Sequence, residues 1–276
     1  MFLDAVILFL QEILEASLLI SVLLALTELF HKGSGHEFRL SAYWVACAMI
    51  LSGLGAWAYA AAMPTISEWF DYVGQEIVNS LLHLLSLILL IVLATVVPAG
   101  LFREAQTLRN RMTVLSMVII VLLALVREGS EIILYLNGVL SQAENTIPVL
   151  SGGVVGTGIG ISSGVFLYYS LISLNQPWST RVCVLLLALL AGTMASQIVM
   201  LLSQADWLPY TAEAWNSSSL VPESSLPGRL LYALIGYEAT PSILQVACYG
   251  LAVLSILVCP LFRNAWFQSK PVEGRV

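Results

Sequence analysis

The chain has 276 residues, of which 59% are hydrophobic and 10% charged, and its formal net charge is -6. With a mean hydropathy of +0.90, it is too apolar for a water-soluble domain. Its acidic balance gives no indication of a nucleic-acid partner. The sequence therefore predicts an integral membrane protein that contacts lipid.

Apolar segments long enough to cross a bilayer recur along the whole chain. We expect seven transmembrane helices, at about 4–30, 40–63, 76–101, 113–141, 149–174, 180–204 and 241–263. The pattern predicts an all-α fold with a single transmembrane domain, 1–276, and an external loop at 205–240. The mostly apolar run at 226–237 in this loop favours a segment that lies on the membrane or enters it.

Basic residues are unevenly distributed between the connections on the two sides. One side holds Lys32, Arg39, Arg103, Arg109, Arg111, Arg181, Arg263, Lys270 and Arg275, whereas the other side holds Arg229. Because basic connections stay in the cytoplasm, we expect the amino terminus outside and the carboxyl terminus inside. The expected location is a plasma membrane or a bacterial inner membrane.

The predicted external connections are acidic. They contain Glu68, Asp71, Glu144, Asp206, Glu213 and Glu223, with Glu76 and Glu238 at helix boundaries. An acidic entrance attracts cations, so Glu68, Asp71, Glu76 and Glu238 are candidate entrance residues. The alternative is that these are ordinary solvated loop charges.

Glycines follow a four-residue spacing in the predicted fifth helix. They are Gly152, Gly156, Gly160 and Gly164. The spacing puts them on one stripe of the helix, where a neighbouring helix can approach closely. We expect a packing role and no chemistry.

Two predicted helices carry the same acidic motif at membrane depth. The first reads Gln-Glu-Ile-Leu-Glu at 11–15, and the fourth reads Arg-Glu-Gly-Ser-Glu at 127–131. A three-residue separation puts both carboxylates on one helix face, where they can converge on a hard cation. The candidate metal ligands are Glu12, Glu15, Glu128 and Glu131, with Arg127 and Gln11 balancing or orienting them. The alternative is structural: an ion pair between Arg127 and Glu128 that holds helices together.

The two motif-bearing helices should run in opposite directions. This pattern predicts an inverted repeat, with 1–101 and 113–204 as the two halves and the last helix added. The carboxylate site would then lie near the membrane midplane, between the halves.

The motifs resemble those of the oxidase-dependent iron permease family, which includes fungal high-affinity iron permeases and bacterial Efe-type permeases. The family signature is Arg-Glu-x-x-Glu, which 127–131 fits fully, whereas the first copy has Gln11 in place of arginine. A third segment, Gly-Tyr-Glu-Ala-Thr-Pro-Ser at 236–242, is similar to the family's Gly-Tyr-Gln-Glu-Ala-Pro-Ser.

The resemblance implies a permease that takes up ferric iron delivered by an oxidase or an extracytoplasmic iron-binding protein. Iron would be the transported substrate, with no permanently bound cofactor, and the four glutamates would lie in its path. Because Gln11 removes a positive charge, a divalent substrate such as ferrous iron, manganese or lead stays open.

Other interpretations stay open as well. The paired glutamates could serve an intramembrane enzyme as acid and base, or a metal-binding subunit that transports nothing. His83 in the third helix fits either a ligand or proton relay, or a structural histidine bonded to a neighbouring helix. The sequence leaves the oligomeric state open, including a homo-oligomer.

Overall fold

The computed structural model describes residues 1–34, 43–96, 106–140 and 146–268. These residues form nine helices and no named strand, which confirms the all-α class. The helices are α1 (Phe2–Ser34), α2 (Tyr43–Ser67), α3 (Trp69–Tyr72), α4 (Gly74–Val96), α5 (Gln106–Leu140), α6 (Thr146–Ser173), α7 (Gln176–Gln204), α8 (Leu226–Ile235) and α9 (Ile243–Gln268).

Seven of these described helices are long and coincide with the seven predicted ones. Five contain a stretch that is long and apolar enough to cross a membrane: Phe2–Leu29, Ala48–Ser67, Gly74–Ala94, Thr146–Ser173 and Pro177–Gln204. The helix α5, which contains the second motif, is not among these five, and the apolar part of α9 is the shorter segment Ile243–Val258. A multi-pass membrane protein is confirmed, whereas the exact count of seven spans stays a prediction.

Helix ends differ from the predictions mainly at α5, which begins at Gln106 instead of 113. The predicted helix residues 40–42, 97–101 and 141 lie outside the described residues. So do parts of the charge pattern: Arg39, Arg103, Glu144, Lys270 and Arg275, together with the side chains of Lys32, Arg109, Arg111 and Arg263. The predicted orientation therefore stays an expectation.

The glycine stripe of α6 packs against α1, as predicted. A Cβ atom at Gly156 would collide with the carbonyl oxygen of Val6, and one at Gly160 would lie 2.7 Å from a methyl carbon of Ile13. The close approach lets a serine of α1 bond across the interface, because Ser21 Oγ donates to the carbonyl oxygen of Gly164 at 2.7 Å. The stripe therefore fixes the position of the helix that carries the first motif.

The helix that carries the second motif is packed in a corresponding way. In its contact with α2, a Cβ atom at Gly129 of α5 would lie 3.0 Å from that of Ala56. The helices α4 and α7 pack on each other, α4 also contacts α5, and α7 contacts α1. If α1 corresponds to α5, α2 to α6 and α4 to α7, each main helix contact in one half has a counterpart in the other half.

The segment 205–240, predicted as an external loop, is only partly a loop. Its helix α8 starts at Ser225, whose Oγ accepts from the backbone N–H of Gly228 at 3.2 Å. Ala233 of α8 packs on Leu14 and Leu18, which lie in the middle of the candidate span of α1. The apolar face of α8 is thus buried against α1, which agrees with the expectation that this run enters the membrane, and the external side of the segment stays a prediction.

The segment 236–242 makes the turn between α8 and α9. Gly236 ends α8 with φ 67°, and a Cβ atom there would lie 2.6 Å from Thr193 Oγ1, so both backbone and space require glycine. Ser242 and Gln245 form a reciprocal cap at the start of α9: Gln245 N–H donates to Ser242 Oγ at 3.3 Å, and Ser242 N–H donates to Gln245 Oε1 at 2.8 Å. The contacts of this segment indicate a structural role.

Candidate metal site

The two acidic motifs meet where α1 packs against α5. One carboxylate oxygen from each of Glu12, Glu128 and Glu131 lies within 4.8 Å of the other two. Glu12 and Glu128 are only 6% and 5% exposed. We call these three residues the carboxylate cluster; oxygen ligands of this kind suit a hard or borderline cation.

The guanidinium of Arg127 connects the two motifs. It donates to Glu128 Oε1 at 2.6 Å, to Glu15 Oε2 at 3.1 Å and to Glu131 Oε1 at 3.2 Å. The predicted ion pair between Arg127 and Glu128 is therefore present inside the site, beside the carboxylate cluster. Glu15 lies outside the three-residue cluster and bonds to Arg127 instead.

The glutamates of this region carry more negative charge, when ionised, than Arg127 can neutralise. One guanidinium faces four glutamates, and ionised groups at membrane depth cost several kcal/mol unless they are paired or hydrated. Among the described residues, Glu128 Oε2 is buried and has no hydrogen-bond partner. A buried carboxylate oxygen with unused lone pairs is suited to receive a cation.

A cavity of about 400 Å³ borders the cluster on the side where α1 begins; we call it the large cavity. It is lined by Leu8, Gln11, Glu12, Glu15, Gln75, Asn79, His83, Arg127, Glu131, Leu134, Gln197, Met200, Leu201 and Tyr232. Its polar lining comes from α1, α4, α5, α7 and α8, so the fold directs polar side chains from five helices into one space.

A second cavity, of about 40 Å³, lies further along the same helices; we call it the small cavity. Compared with the large cavity, it is lined by later residues of α1 and α4, up to Leu19 and Ser86. In α5 and α7 it is lined by earlier residues, starting at Leu123 and Leu190. The helices α1 and α4 therefore run opposite to α5 and α7. Four residues line both cavities and form the layer between them: Glu15, His83, Arg127 and Gln197.

Polar residues that the sequence analysis did not select hold this layer in place. Tyr59 donates to Asn79 Oδ1 at 2.6 Å, and the main-chain oxygen of Asn79 bonds to His83 Nδ1 at 2.9 Å. Gln197 Nε2 donates to the hydroxyl of Tyr232 at 3.0 Å. These residues could have been found in the sequence as amide side chains within apolar helices, since such groups need hydrogen-bond partners at membrane depth.

The candidate entrance residues lie outside the large cavity. Glu68 and Asp71 are exposed near α3, where Asp71 has φ 62°, a conformation unusual for a non-glycine residue. Glu76, in the first turn of α4, has a buried Oε2 without a partner among the described residues. Glu238 instead accepts from Gln245 Nε2 at 2.6 Å and from a serine hydroxyl of α7 at 3.3 Å.

Comparison with known proteins supports the resemblance noted in the motifs. The profile of the iron permease FTR1 family matches residues 2–263, which is nearly the whole chain. The chain belongs to the iron permease FTR1 family. Membership confirms the resemblance and assigns the chain to a class of transporters rather than enzymes.

Individual relatives match part of the chain. The ferrous iron permease EfeU of Shigella flexneri serotype 5b (strain 8401) is 26% identical over 144 residues, which is 52% of this chain and 61% of that protein. The protein of the same name from Escherichia coli O157:H7 is 26% identical over 144 residues, 52% of each chain. The chain thus matches about half to three fifths of the length of these relatives. No solved structure matches it.

Proposed function

We propose that this chain is an iron permease that carries ferrous iron through the carboxylate cluster. The observation that carries the proposal is the convergence of Glu12, Glu128 and Glu131, from two helices, beside a polar cavity at membrane depth. Ferrous iron is proposed because the relatives carry that substrate in their names. Ferric iron, which the wider family resemblance implies, is the alternative substrate.

The large cavity is proposed as the entrance and the small cavity as the exit side. The layer of Glu15, His83, Arg127 and Gln197 closes the path between them in this state. An ion bound by the cluster competes with Arg127 for Glu128 and Glu131, so its binding weakens two of the three guanidinium contacts. Release of Arg127 from these carboxylates would open the layer.

We propose that the chain has seven transmembrane helices in a 3+3 inverted repeat, an architecture suited to an alternating mechanism. The helix contacts are consistent with this architecture, since exchanging α1, α2 and α4 with α5, α6 and α7 preserves the main pairs. Two such halves can rock against each other around a site at their interface. The ninth helix, α9, packs mainly on α7, and we propose that it is the added seventh span.

We propose that the large cavity faces the outside. The positive-inside rule supports this orientation, because the basic connections lie on the opposite side. In a bacterial inner membrane, an extracytoplasmic iron-binding protein or oxidase would then supply the ion to the large cavity. Iron is the transported substrate in this scheme, and the outer surfaces of the helices contact membrane lipid.

The test is uptake of radioactive iron by proteoliposomes that contain the purified chain. One set is kept reduced with ascorbate, a second receives ferric citrate, and a third receives ferrous iron with excess manganese. Glu131→Gln is the site variant because it removes one charge of the cluster with little change in shape. Glu68→Gln is the matched control, since Glu68 is exposed and lies outside both cavities.

Ferrous uptake that is lost in Glu131→Gln and kept in Glu68→Gln supports the proposal. Uptake confined to the ferric set would show that ferric iron is the substrate, and it would leave the site assignment unchanged. Binding of iron without entry into the vesicles would instead favour a metal-binding subunit, and equal uptake by both variants would refute the site.

A further inference from the structure

The small cavity is lined by polar as well as apolar side chains. Half of its fourteen lining residues have polar side chains: Glu15, His83, Ser86, Arg127, Glu128, Thr193 and Gln197. Its volume of about 40 Å³ exceeds the roughly 10–15 Å³ that one water requires. The cavity is therefore large enough for a partly hydrated ion, and its polar groups would be costly to bury without a polar occupant.

His83 has a second ring nitrogen that an ion can reach by replacing the hydrogen-bonded side chain of Gln197. The ring is 4% exposed, and its Nδ1 bonds to the main-chain oxygen of Asn79 at 2.9 Å. A carbonyl oxygen can only accept, so Nδ1 carries the proton and Nε2 of the neutral ring keeps its lone pair. A backbone carbonyl that fixes the tautomer in this way is the usual arrangement behind a metal-binding imidazole.

Glu128 connects the small cavity with the carboxylate cluster. It belongs to the cluster and also lines the small cavity. Its Oε1 is held by Arg127, whereas its Oε2 is buried without a partner among the described residues. A second ligand group, independent of His83, is therefore available at the same cavity.

We propose that the small cavity is a second iron station, in which Glu128 and Nε2 of His83 are ligands and the imidazole selects ferrous iron over harder divalent cations. This inference rests on the proposed function and extends it. The ion would pass from the three carboxylates to a mixed oxygen and nitrogen site, with Glu128 shared between the two stations. Ser86, Thr193 and water would complete its oxygen ligands.

The selectivity follows from ligand chemistry. Carboxylate and water ligands suit magnesium, calcium and manganese, whereas imidazole suits iron, zinc and copper. The carboxylate cluster alone therefore discriminates weakly against manganese. A nitrogen ligand at the next station would retain ferrous iron preferentially and pass it onward.

The direct test is iron X-ray absorption spectroscopy on the reduced, iron-loaded protein in nanodiscs, produced without a histidine tag. The chain has three histidines, so the variant His31→Gln/His36→Gln leaves His83 as the single imidazole. We expect the outer-shell scattering of an imidazole ring in this variant. The scattering should disappear when His83→Gln is added.

The outcomes separate this inference from the proposed function. Bound iron with an oxygen-only shell in the double variant, together with normal ferrous uptake, overturns the histidine station and leaves the permease intact. If neither the double variant nor the wild-type protein binds or takes up iron although each is folded and inserted, the histidine station and the proposed permease function are both overturned. Because the double variant keeps His83, this reading does not depend on the stability of His83→Gln.

Transport gives a second readout. In proteoliposomes, His83→Gln should reduce the preference for ferrous iron over manganese by about tenfold, the lower range for weakening a metal site. Manganese uptake should persist and serve as the internal control for folding. An equal loss of iron and manganese uptake would show a structural role and overturn the inference.

Discussion

The two glutamate motifs share their spacing and differ in what surrounds them. In the second motif, Arg127 holds both glutamates of its own helix. In the first, Gln11 replaces arginine, and Glu15 takes its positive partner from the other helix, again Arg127, whereas Glu12 joins the carboxylate cluster. One arginine therefore compensates both copies, and the apparent defect of the first motif is corrected across the interface between α1 and α5.

The largest effect is expected when this shared cation is removed. Arg127→Met leaves Glu15, Glu128 and Glu131 without their common partner, and breaking a buried ion pair costs about 3–5 kcal/mol. We expect loss of transport and a strong decrease in thermal stability, measured by size-exclusion chromatography after heating in detergent.

The control for this variant is Arg181→Met, since Arg181 is exposed and lies over the ring of Trp178. Arg127→Lys should give an intermediate result, because one ammonium cannot serve three carboxylates as a planar guanidinium does. Wild-type stability and uptake in Arg127→Met would contradict the idea of a shared cation.

The next effect compares one glutamate from each motif. Glu128→Gln removes a member of the carboxylate cluster and should lower ferrous uptake on the order of 100-fold, the result of losing a few kcal/mol of binding. Glu15→Gln changes a partner of Arg127 outside the cluster, so a loss of about tenfold is expected. Initial uptake rates at several iron concentrations measure both; the reverse order would show that Glu15 is the primary ligand.

A third prediction concerns the position of the first motif. Gly156→Leu would place a side chain against the backbone of α1 and displace Glu12 and Glu15. Overpacking of this kind costs about 1–3 kcal/mol, so we expect lower stability and slower uptake. Gly158→Leu is the matched control on the same helix, because no atom lies within 4 Å of a Cβ atom there. Equal behaviour of the two variants would argue against the packing of α6 on α1.

A smaller change is expected from restoring arginine to the first motif. Gln11 lines the large cavity, so Gln11→Arg adds a positive charge beside the entering ion. The apparent affinity for ferrous iron should fall about tenfold, since one unit charge nearby contributes on the order of 1–4 kcal/mol in a protein-like dielectric. Unchanged folding with tighter iron binding would instead indicate that arginine belongs at both copies.

The smallest effect is expected outside both motifs, at Glu238. Its carboxylate accepts hydrogen bonds from Ser196 and Gln245, and it lines neither the large nor the small cavity. Glu238→Gln should leave iron uptake within about twofold and lower stability by about 1 kcal/mol, a typical value for one weakened hydrogen bond. A large loss of uptake at normal stability would make Glu238 part of the ion path.

Much of the architecture could be predicted from the sequence because apolar length and motif spacing are local properties. The seven long helices, the glycine stripe of α6 and the family resemblance were all expected. The helix α8 was not identified as a helix, since an isolated ten-residue helix is marginal on its own and its burial depends on Leu14 and Leu18 of α1. Gln197 of the layer and its neighbours Asn79 and Tyr232 were missed for a similar reason, since they are single residues far apart in the chain.

The sequence by itself determined that the chain crosses a membrane, and it predicted four glutamates inside two of the long helices, because both conclusions follow from hydropathy and from a three-residue spacing along one helix. Only the tertiary structure decided how the glutamates divide. Packing of α1 against α5 puts Glu12 with Glu128 and Glu131, and it turns Glu15 towards Arg127. Contacts between residues more than a hundred positions apart depend on helix packing, which local spacing does not specify.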